Sequence, residues 1–226
     1  MLAILPARKG SKGIHNKNTK ILNGKPLIAW TLESLIQSKK VSEILVTTND
    51  DKVVDICNHY KINVPFKRPN YLCTDKALAI NVYKHAINFI NKKRSNKIKE
   101  FIVTLPTSPL RTSKHIDDAI RLYKKAKADS LISCKKLDFP SDWIFNIKKN
   151  YYIIKNKRSK NSNRQDLEFQ FIPNGAIYIL KFDILKKLKS YYTEKTVAFI
   201  MERNESVDID DIDDFNYASY LMKNKK

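Results

Sequence analysis

The sequence lacks a hydrophobic stretch long enough to cross a membrane, because no run of 18 or more apolar residues occurs among its 226 residues. Its opening apolar segment is short and is interrupted by Pro6 and Arg8, unlike a secretory signal sequence. We therefore expect a cytoplasmic protein with no membrane partner. Apolar residues make up 42% of the chain, which disfavours intrinsic disorder despite a net charge of +20.

The sequence has only three cysteines, and their spacing suggests no pairing. Cys57, Cys73 and Cys134 are odd in number, far apart and without a CxxC pair, so neither a disulfide framework nor a zinc site is indicated. We expect them to be small buried apolar residues. No Ser-His-Asp or Cys-His arrangement stands out among the four histidines.

Acidic residues are also few, 23 against 43 basic residues, and the excess is mostly lysine. These cations occur in small clusters in nearly every segment of the chain. A nucleic-acid-binding module would concentrate them on one face and interleave them with stacking aromatic side chains. The distribution instead favours a solvated, lysine-rich surface, and we expect no nucleic-acid partner.

The first 135 residues alternate between strand and helix patterns. The wholly apolar run at 2–5 is typical of a strand buried on both faces of a parallel sheet. Such alternation predicts an α/β fold with a mostly parallel sheet and helices on both faces. Strands are predicted at 2–5, 43–50, 64–66, 100–105 and 130–134, and helices at 26–40, 51–60, 76–94 and 114–127.

The alternation breaks between residues 136 and 170. This stretch offers two strand-like segments, a basic polar run and no helix, which predicts a β-rich insertion within a single domain of residues 1–226. The α/β pattern then resumes. A strand is predicted at 175–180, a helix at 182–191, a strand at 197–201 and a final helix from about 211.

The loop after the first strand carries cations and glycines but no acid. Ligands of open α/β sheets bind beyond the carboxyl ends of the strands, where this loop lies. Its two glycines permit close backbone approach, and Arg8, Lys12 and Lys17 supply positive charge, which suits a polyphosphate. The loop matches neither the GK[ST] ending of a Walker loop nor the GxGxxG fingerprint.

An acidic segment, SVDIDDIDDF, reverses the local charge at residues 206–215. In an extended chain Asp208 and Asp210 point the same way while Val207 and Ile209 face the core. A hard divalent cation relieves the repulsion between two such carboxylates, and Mg²⁺ prefers one or two carboxylates together with phosphate oxygens. The remaining acids are predicted to cap the last helix: Asp211, Asp213 and Asp214.

Three further loops carry polar residues at predicted strand ends or in the insertion. They are LPTSPLR at 105–111, NRQD at 163–166 and PNGAIY at 173–178. Each is a weak signal alone, because Pro and Gly commonly just mark turns.

Taken together and in this order, PARKGSKGIHNKN, PTSPLR, RQD, PNGAIY and SVDIDD resemble the acylneuraminate cytidylyltransferase family, the CMP-sialic acid synthetases. The resemblance covers nearly the whole chain. It implies a Rossmann-like nucleotidyltransferase fold whose β-rich insert serves dimerisation, and hence a homodimer. It also implies Mg²⁺-dependent transfer of CMP from CTP to the anomeric hydroxyl of a 2-keto-3-deoxy sugar acid, with release of pyrophosphate.

The resemblance also implies roles for individual residues. Those that would bind the nucleotide are Arg8, Lys12, Lys17, Asn18 and Arg68. Those that would bind the sugar are Arg164, Gln165 and Asn174, the first two reaching the site from the insert. Asp208 and Asp210 would bind the metal. The residues that would act in catalysis are Lys17, Arg164 and Asp210, with Asp210 as the candidate base.

The chain departs from the family pattern at several positions. Leu105 stands where the family usually has Gln, and Ile172 stands where it often has Arg. Residues 76–79 replace a Ser/Thr-rich run, and Asp142 stands near the position where a sugar-binding Lys is expected. Apolar replacements of polar partners alter ligand selection. The acceptor therefore stays open between sialic, legionaminic and pseudaminic acids. The alternatives are a synthetase for the eight-carbon acid Kdo, a basic nucleic-acid-binding module, and a family member that binds nucleotide without turnover.

Overall fold

The computed structural model describes residues 1–147, 153–155 and 169–224. The strands of this part of the chain are β1 (Leu2–Ala7), β2 (Ile21–Leu22), β3 (Lys25–Pro26), β4 (Glu43–Thr48), β5 (Glu100–Val103), β6 (Ser130–Lys136), β7 (Phe145–Ile147), β8 (Ile153–Lys155), β9 (Phe171–Lys181) and β10 (Thr196–Ile200). Its α-helices are α1 (Leu27–Ile36), α2 (Asp51–His59), α3 (Ala79–Lys92), α4 (Ser113–Lys125), α5 (Phe182–Leu188) and α6 (Ile212–Lys223). No helix of the described residues has both the length and the apolar character needed to cross a bilayer.

Six strands form the central sheet, in the spatial order β10–β6–β9–β5–β1–β4. Strand β1 pairs in parallel with β4 on one side and with β5 on the other, and β6 pairs in parallel with β10. Strand β9 runs antiparallel to both neighbours, β5 and β6. The predicted mostly parallel, Rossmann-like sheet is confirmed, and the reversed strand β9 is an addition to it.

Helices cover both faces of the sheet, as predicted. Helices α1, α2 and α4 pack on one face in a core that includes Ala3 and Leu5. Helices α3 and α5 pack on the other face, with Leu2 and Ile4. Because successive side chains of β1 enter opposite cores, its apolar run is buried on both faces.

Some predicted boundaries differ from the observed ones. The predicted strand at 64–66 is wrong: this stretch forms no strand, and only a single bridge joins Thr48 to Lys67. Pro65 has no N–H group to donate to a ladder, which explains the failure. The helix predicted at 182–191 ends at Leu188, because Lys189 adopts a left-handed conformation with φ 51°.

The predicted insertion at 136–170 lies between the end of β6 at Lys136 and the start of β9 at Phe171. Strands β7 and β8 form an antiparallel two-stranded sheet there, separate from the central one. Arg164 and Gln165 lie outside the described residues. The role of the insertion in dimerisation therefore stays a prediction.

Candidate active site

The first loop and the acidic segment meet at the carboxyl ends of the parallel strands. Lys17 lies in a short 3-10 helix, Lys17–Thr19, and its Nζ donates to the Ile209 carbonyl oxygen at 2.6 Å. The same Nζ is 3.3 Å from Asp210 Oδ1. The Lys17 side chain is largely buried whereas that of Asp210 is 83% exposed. A cation of the first loop is thus fixed against the acidic segment, and the Asp210 carboxylate that it contacts is accessible from solvent.

Gly13 brings the two backbones into direct contact. A Cβ atom added at this position would lie 2.0 Å from the carbonyl oxygen of Asp210. No side chain fits at that distance without displacement of the main chain, so glycine is required here by close approach. The glycine predicted for close backbone contact therefore touches the protein's own acidic segment.

Gly13→Ala is expected to lower the free energy of unfolding by about 2 kcal/mol or more, because overpacking against backbone forces the two segments apart. Urea denaturation measures the loss, and faster amide hydrogen exchange at Ile209 would locate it. Gly24→Ala is the control: Gly24 has φ +88° but no atom within 4 Å of an added Cβ. Gly24→Ala strains the backbone only at residue 24, so amide hydrogen exchange at Ile209 should be unchanged in this variant. Wild-type stability and exchange in Gly13→Ala would contradict the contact.

Asp208 is enclosed by two other segments. A Cβ atom added at Gly175, which has φ +74°, would lie 2.7 Å from Asp208 Oδ2. On another side the Thr107 carbonyl oxygen accepts from the N–H of Ile209 at 2.8 Å. Asp208 Oδ1 is buried without a hydrogen-bond partner in the described part of the structure. A carboxylate oxygen so placed is costly unless a cation or a donor satisfies it.

The Asp208 carboxyl is also electrostatically strained. Burial raises its pKa above the ordinary value, and repulsion from Asp210 adds to the rise, while a hydrogen bond from Thr107 opposes it. A bound divalent cation would relieve both burial and repulsion. Two carboxylates of this kind, one with a buried oxygen and one exposed, fit the oxygen-rich donor set that a hard divalent cation prefers.

The rest of the acidic segment has the predicted structural role. Val207 and Ile209 are buried, as predicted, and Ser206 is buried with them. Asp211 caps α6 by accepting from the N–H groups of Asp213 and Asp214, and Asp214 accepts in return from the N–H of Asp211. Within the described residues no group of three or more His, Cys, Asp or Glu side chains could hold a metal. A metal site here would thus depend on two carboxylates and a ligand's own oxygens.

A cavity of about 270 Å³ lies beside the first loop and is lined by Arg8 and Arg68. Arg68 is buried, and its Nε donates to Thr47 Oγ1 at 3.1 Å. Burial lowers the pKa of Arg68 to about 10, so it remains a cation at neutral pH. The cavity also has a largely apolar wall: Pro6, Leu72, Ala77, Ala79, Val82 and Leu105. The positions that depart from the family pattern at 77, 79 and 105 therefore face this cavity.

Asp75 pairs with two of the predicted phosphate-binding cations. Arg8 Nη2 lies 2.5 Å from Asp75 Oδ1, and Lys12 Nζ lies 2.9 Å from Oδ2. Hydrogen bonds from Lys12 and Arg8 lower the pKa of this carboxyl. Sequence reasoning missed Asp75 as a partner of the loop, although a lone acid in the segment beyond Arg68 was a possible signal. A polyphosphate would compete with Asp75 for these side chains.

Asn18 and Asn174, which the resemblance assigns to ligand binding, both have hydrogen-bond partners within the protein. Asn18 Nδ2 donates to the Arg8 carbonyl oxygen at 3.0 Å, which ties the start of the loop to its end. Asn174 is 3% exposed; its Oδ1 accepts from Ser133 Oγ at 2.6 Å and its Nδ2 donates to Ser206 Oγ at 2.8 Å. Its predicted contact with the sugar stays a prediction, as do those of Arg164 and Gln165.

A larger cavity, of about 870 Å³, lies along α3 and shares Leu72, Thr74 and Ala77 with the smaller one. Its charged lining is basic: Lys76, Lys84, Lys92 and Lys97. It lies outside the predicted site, and it is the alternative place at which a polyanion could bind.

A family model described as cytidylyltransferase matches residues 2–225. An N-acylneuraminate cytidylyltransferase of Escherichia coli is 33% identical over 100% of this chain and 52% of its own length. A CMP-N,N'-diacetyllegionaminic acid synthase of Legionella pneumophila is 31% identical over 99% of this chain and 96% of its own. The chain thus spans about half the length of the E. coli relative and nearly all of the Legionella one.

Among solved structures, CMP:2-keto-3-deoxy-manno-octonic acid synthetase complexed with CTP superposes with a TM-score of 0.72. The superposition covers 100% of this chain and 99% of the other at 14% sequence identity. At that identity the likeness concerns the fold.

Proposed function

Because the chain belongs to the cytidylyltransferase family, we propose that it transfers CMP from CTP to the anomeric hydroxyl of a nonulosonic acid and releases pyrophosphate. The observation that carries the proposal is the contact of Lys17 with Ile209 and Asp210, beside the unpartnered oxygen of Asp208. It joins a fixed cation to a carboxylate pair, and nucleotidyl transfer needs both kinds of group around a triphosphate.

We assign a role in this reaction to each predicted site residue that the structure describes, except Asn174. Lys17, Arg8 and Lys12 bind the triphosphate, and Arg68 with Asn18 helps to hold the nucleotide in the smaller cavity. Asp208 and Asp210 hold Mg²⁺, which supplies charge neutralisation at the phosphates when bound. Asp210 is exposed and accepts the proton of the attacking sugar hydroxyl.

The apolar wall of the smaller cavity bears on selectivity. Ala77, Ala79 and Leu105 offer no side-chain donor or acceptor to a nucleobase. A site that pairs few polar groups rejects wrong bases weakly. We therefore expect a small ratio of turnover with CTP to turnover with UTP. A site with polar side chains at positions 77, 79 and 105 would give a larger ratio.

The test is a pyrophosphate-release assay that crosses CTP, UTP, ATP and GTP with N-acetylneuraminic, legionaminic and pseudaminic acids and Kdo. We expect turnover with CTP and a nine-carbon acid, only when Mg²⁺ is present. Turnover with Kdo alone would favour the eight-carbon alternative. Nucleotide binding without turnover of any acid would contradict the proposal.

A homodimer is part of the proposal. Several large apolar side chains of the insertion and its borders are exposed in the single chain: Phe139, Trp143, Ile144, Ile147, Phe169, Phe171 and Ile172. A surface of this kind on one region favours coverage by a protein partner, and a second copy is the occupant we propose. Sedimentation analysis should give a dimer that Ile147→Asp weakens; a monomer at micromolar concentration would contradict it.

A further inference from the structure

Arg111, in the PTSPLR motif, is fully buried behind the candidate active site. Its Nη1 donates to the carbonyl oxygens of Leu105 and Ala176, both at 3.1 Å, and its Nη2 donates to Thr31 Oγ1 at 2.8 Å. Its Nε has no hydrogen-bond partner in the described part of the chain. The acceptors of these hydrogen bonds are all uncharged oxygens.

Burial of this guanidinium is unfavourable for stability. It lowers the pKa of Arg111 to about 9, so the side chain is still charged at neutral pH. A charge removed from water without a partner of opposite sign is costly, and a well-packed apolar side chain of similar volume is often neutral or stabilising instead. Stability alone therefore gives a weak reason for an arginine here.

The two carbonyl oxygens that Arg111 holds belong to the two segments that enclose Asp208. Leu105 lies two residues before Thr107, whose carbonyl oxygen accepts from the N–H of Ile209, the residue that follows Asp208. Ala176 follows Gly175, whose backbone lies against Asp208 Oδ2. One planar, multi-donor group thus fixes the spacing of both walls.

We propose that Arg111 is a positioning residue for the metal-binding carboxylate: it holds the 105–107 loop and the Gly175–Ala176 segment of β9, where the pairing with β6 shifts register, at the separation that keeps Asp208 Oδ1 available to a cation. Arg111 itself contacts neither substrate nor metal in this account. The inference rests on the proposed function, since it needs a metal at Asp208.

The test compares Arg111→Met and Arg111→Lys with the wild-type protein. Electron paramagnetic resonance of free Mn²⁺, read against a protein-free titration of Mn²⁺ with CTP, measures metal binding to the protein without turnover. Arg111→Met should weaken Mn²⁺ binding by about tenfold, the scale of losses when a group that orients a metal ligand is removed. Arg111→Lys keeps the charge and some donors, so its affinity for Mn²⁺ should lie between those of the wild-type protein and Arg111→Met. The Mg²⁺ concentration for half-maximal pyrophosphate release should shift in the same order.

Leu185→Ala is the control for lost stability, because Leu185 is fully buried on the opposite face of the sheet. Its Mn²⁺ binding should equal that of wild type even where its unfolding midpoint falls as far as that of Arg111→Met. Unchanged Mn²⁺ binding in Arg111→Met would overturn the inference, and so would equal weakening in Leu185→Ala. If Arg111→Met does not fold, Arg111→Lys and Thr31→Val decide: weakened binding in both supports the role, wild-type binding in both overturns it.

The two proposals fail differently. Wild-type protein that binds Mn²⁺ with CTP but turns over no sugar acid contradicts the proposed function, and the variants still report on Arg111. Wild-type protein that binds no Mn²⁺ with CTP overturns the role of Arg111.

Discussion

Replacement of Asp208 by Asn is expected to lower Mg²⁺-dependent pyrophosphate release roughly 1000-fold, a loss of about 4 kcal/mol in transition-state stabilisation. The substitution keeps the shape of the side chain and its ability to accept from Thr107, but it removes the anionic oxygen that would bind the metal. Steady-state kinetics at saturating CTP measure the loss.

The same variant should be at least as stable as wild type at neutral pH. Burial raises the pKa of Asp208 in the folded state above that in the unfolded state. Between those two pKa values the folded state binds more protons, so the free energy of unfolding falls as pH rises through this window. Above the window the ionised carboxylate destabilises the fold, and Asn removes that cost. Urea denaturation above and below the ordinary aspartate pKa measures the difference.

Asp213→Asn is the matched control for Asp208→Asn. Asp213 is an exposed residue in the first turn of α6, and its replacement removes the same charge from the same segment. It should lose about 0.5 kcal/mol of helix-dipole stabilisation and keep its turnover. Near-normal turnover in Asp208→Asn, or a loss of its stability at neutral pH, would contradict the assigned role.

Lys17→Met should lower kcat/KM for CTP by about 100- to 1000-fold, the range measured when one preorganised donor to developing charge is removed. Lys17 is held by the Ile209 carbonyl oxygen and Asp210, so its ammonium group is already fixed before a ligand arrives. The variant also leaves the Ile209 carbonyl oxygen without this donor, at a cost of about 1 to 3 kcal/mol in stability. Kinetics and urea denaturation separate the two effects.

Lys20→Met is the control for charge alone, because Lys20 is an exposed cation three residues away. It should retain most of the wild-type kcat/KM. Lys17→Arg should recover part of the activity, since it restores the charge with a different donor geometry. Equal losses in Lys17→Met and Lys20→Met would mean that general electrostatics, and not the fixed contact, explain the effect.

The fold was largely predictable where local patterns determine it. The burial of the apolar run of β1 and of Val207 and Ile209 follows from their apolar side chains, and both predictions are confirmed. The caps of α6 follow from backbone groups that any helix must satisfy. Strand direction is different: the antiparallel course of β9 depends on how the chain returns to the sheet, which periodicity does not encode.

The candidate site was predictable only in part, because its geometry depends on contacts between distant segments. The cationic loop and the aspartate pair are visible as local charge patterns. The pairing of Asp75 with Arg8 and Lys12 spans more than 60 residues and has no local signature. Charge reasoning likewise expects arginine at a surface, so the burial of Arg111 could not be inferred from its motif.

The metal site at Asp208 is best tested by a crystal structure of the protein with CTP and Mn²⁺, in which anomalous scattering locates the metal. We expect a Mn²⁺ peak about 2.1 Å from Asp208 Oδ1, a distance typical of Mg²⁺-like oxygen ligation, with the triphosphate beside Lys17. A triphosphate in the lysine-lined cavity along α3, with no metal at Asp208, would contradict it.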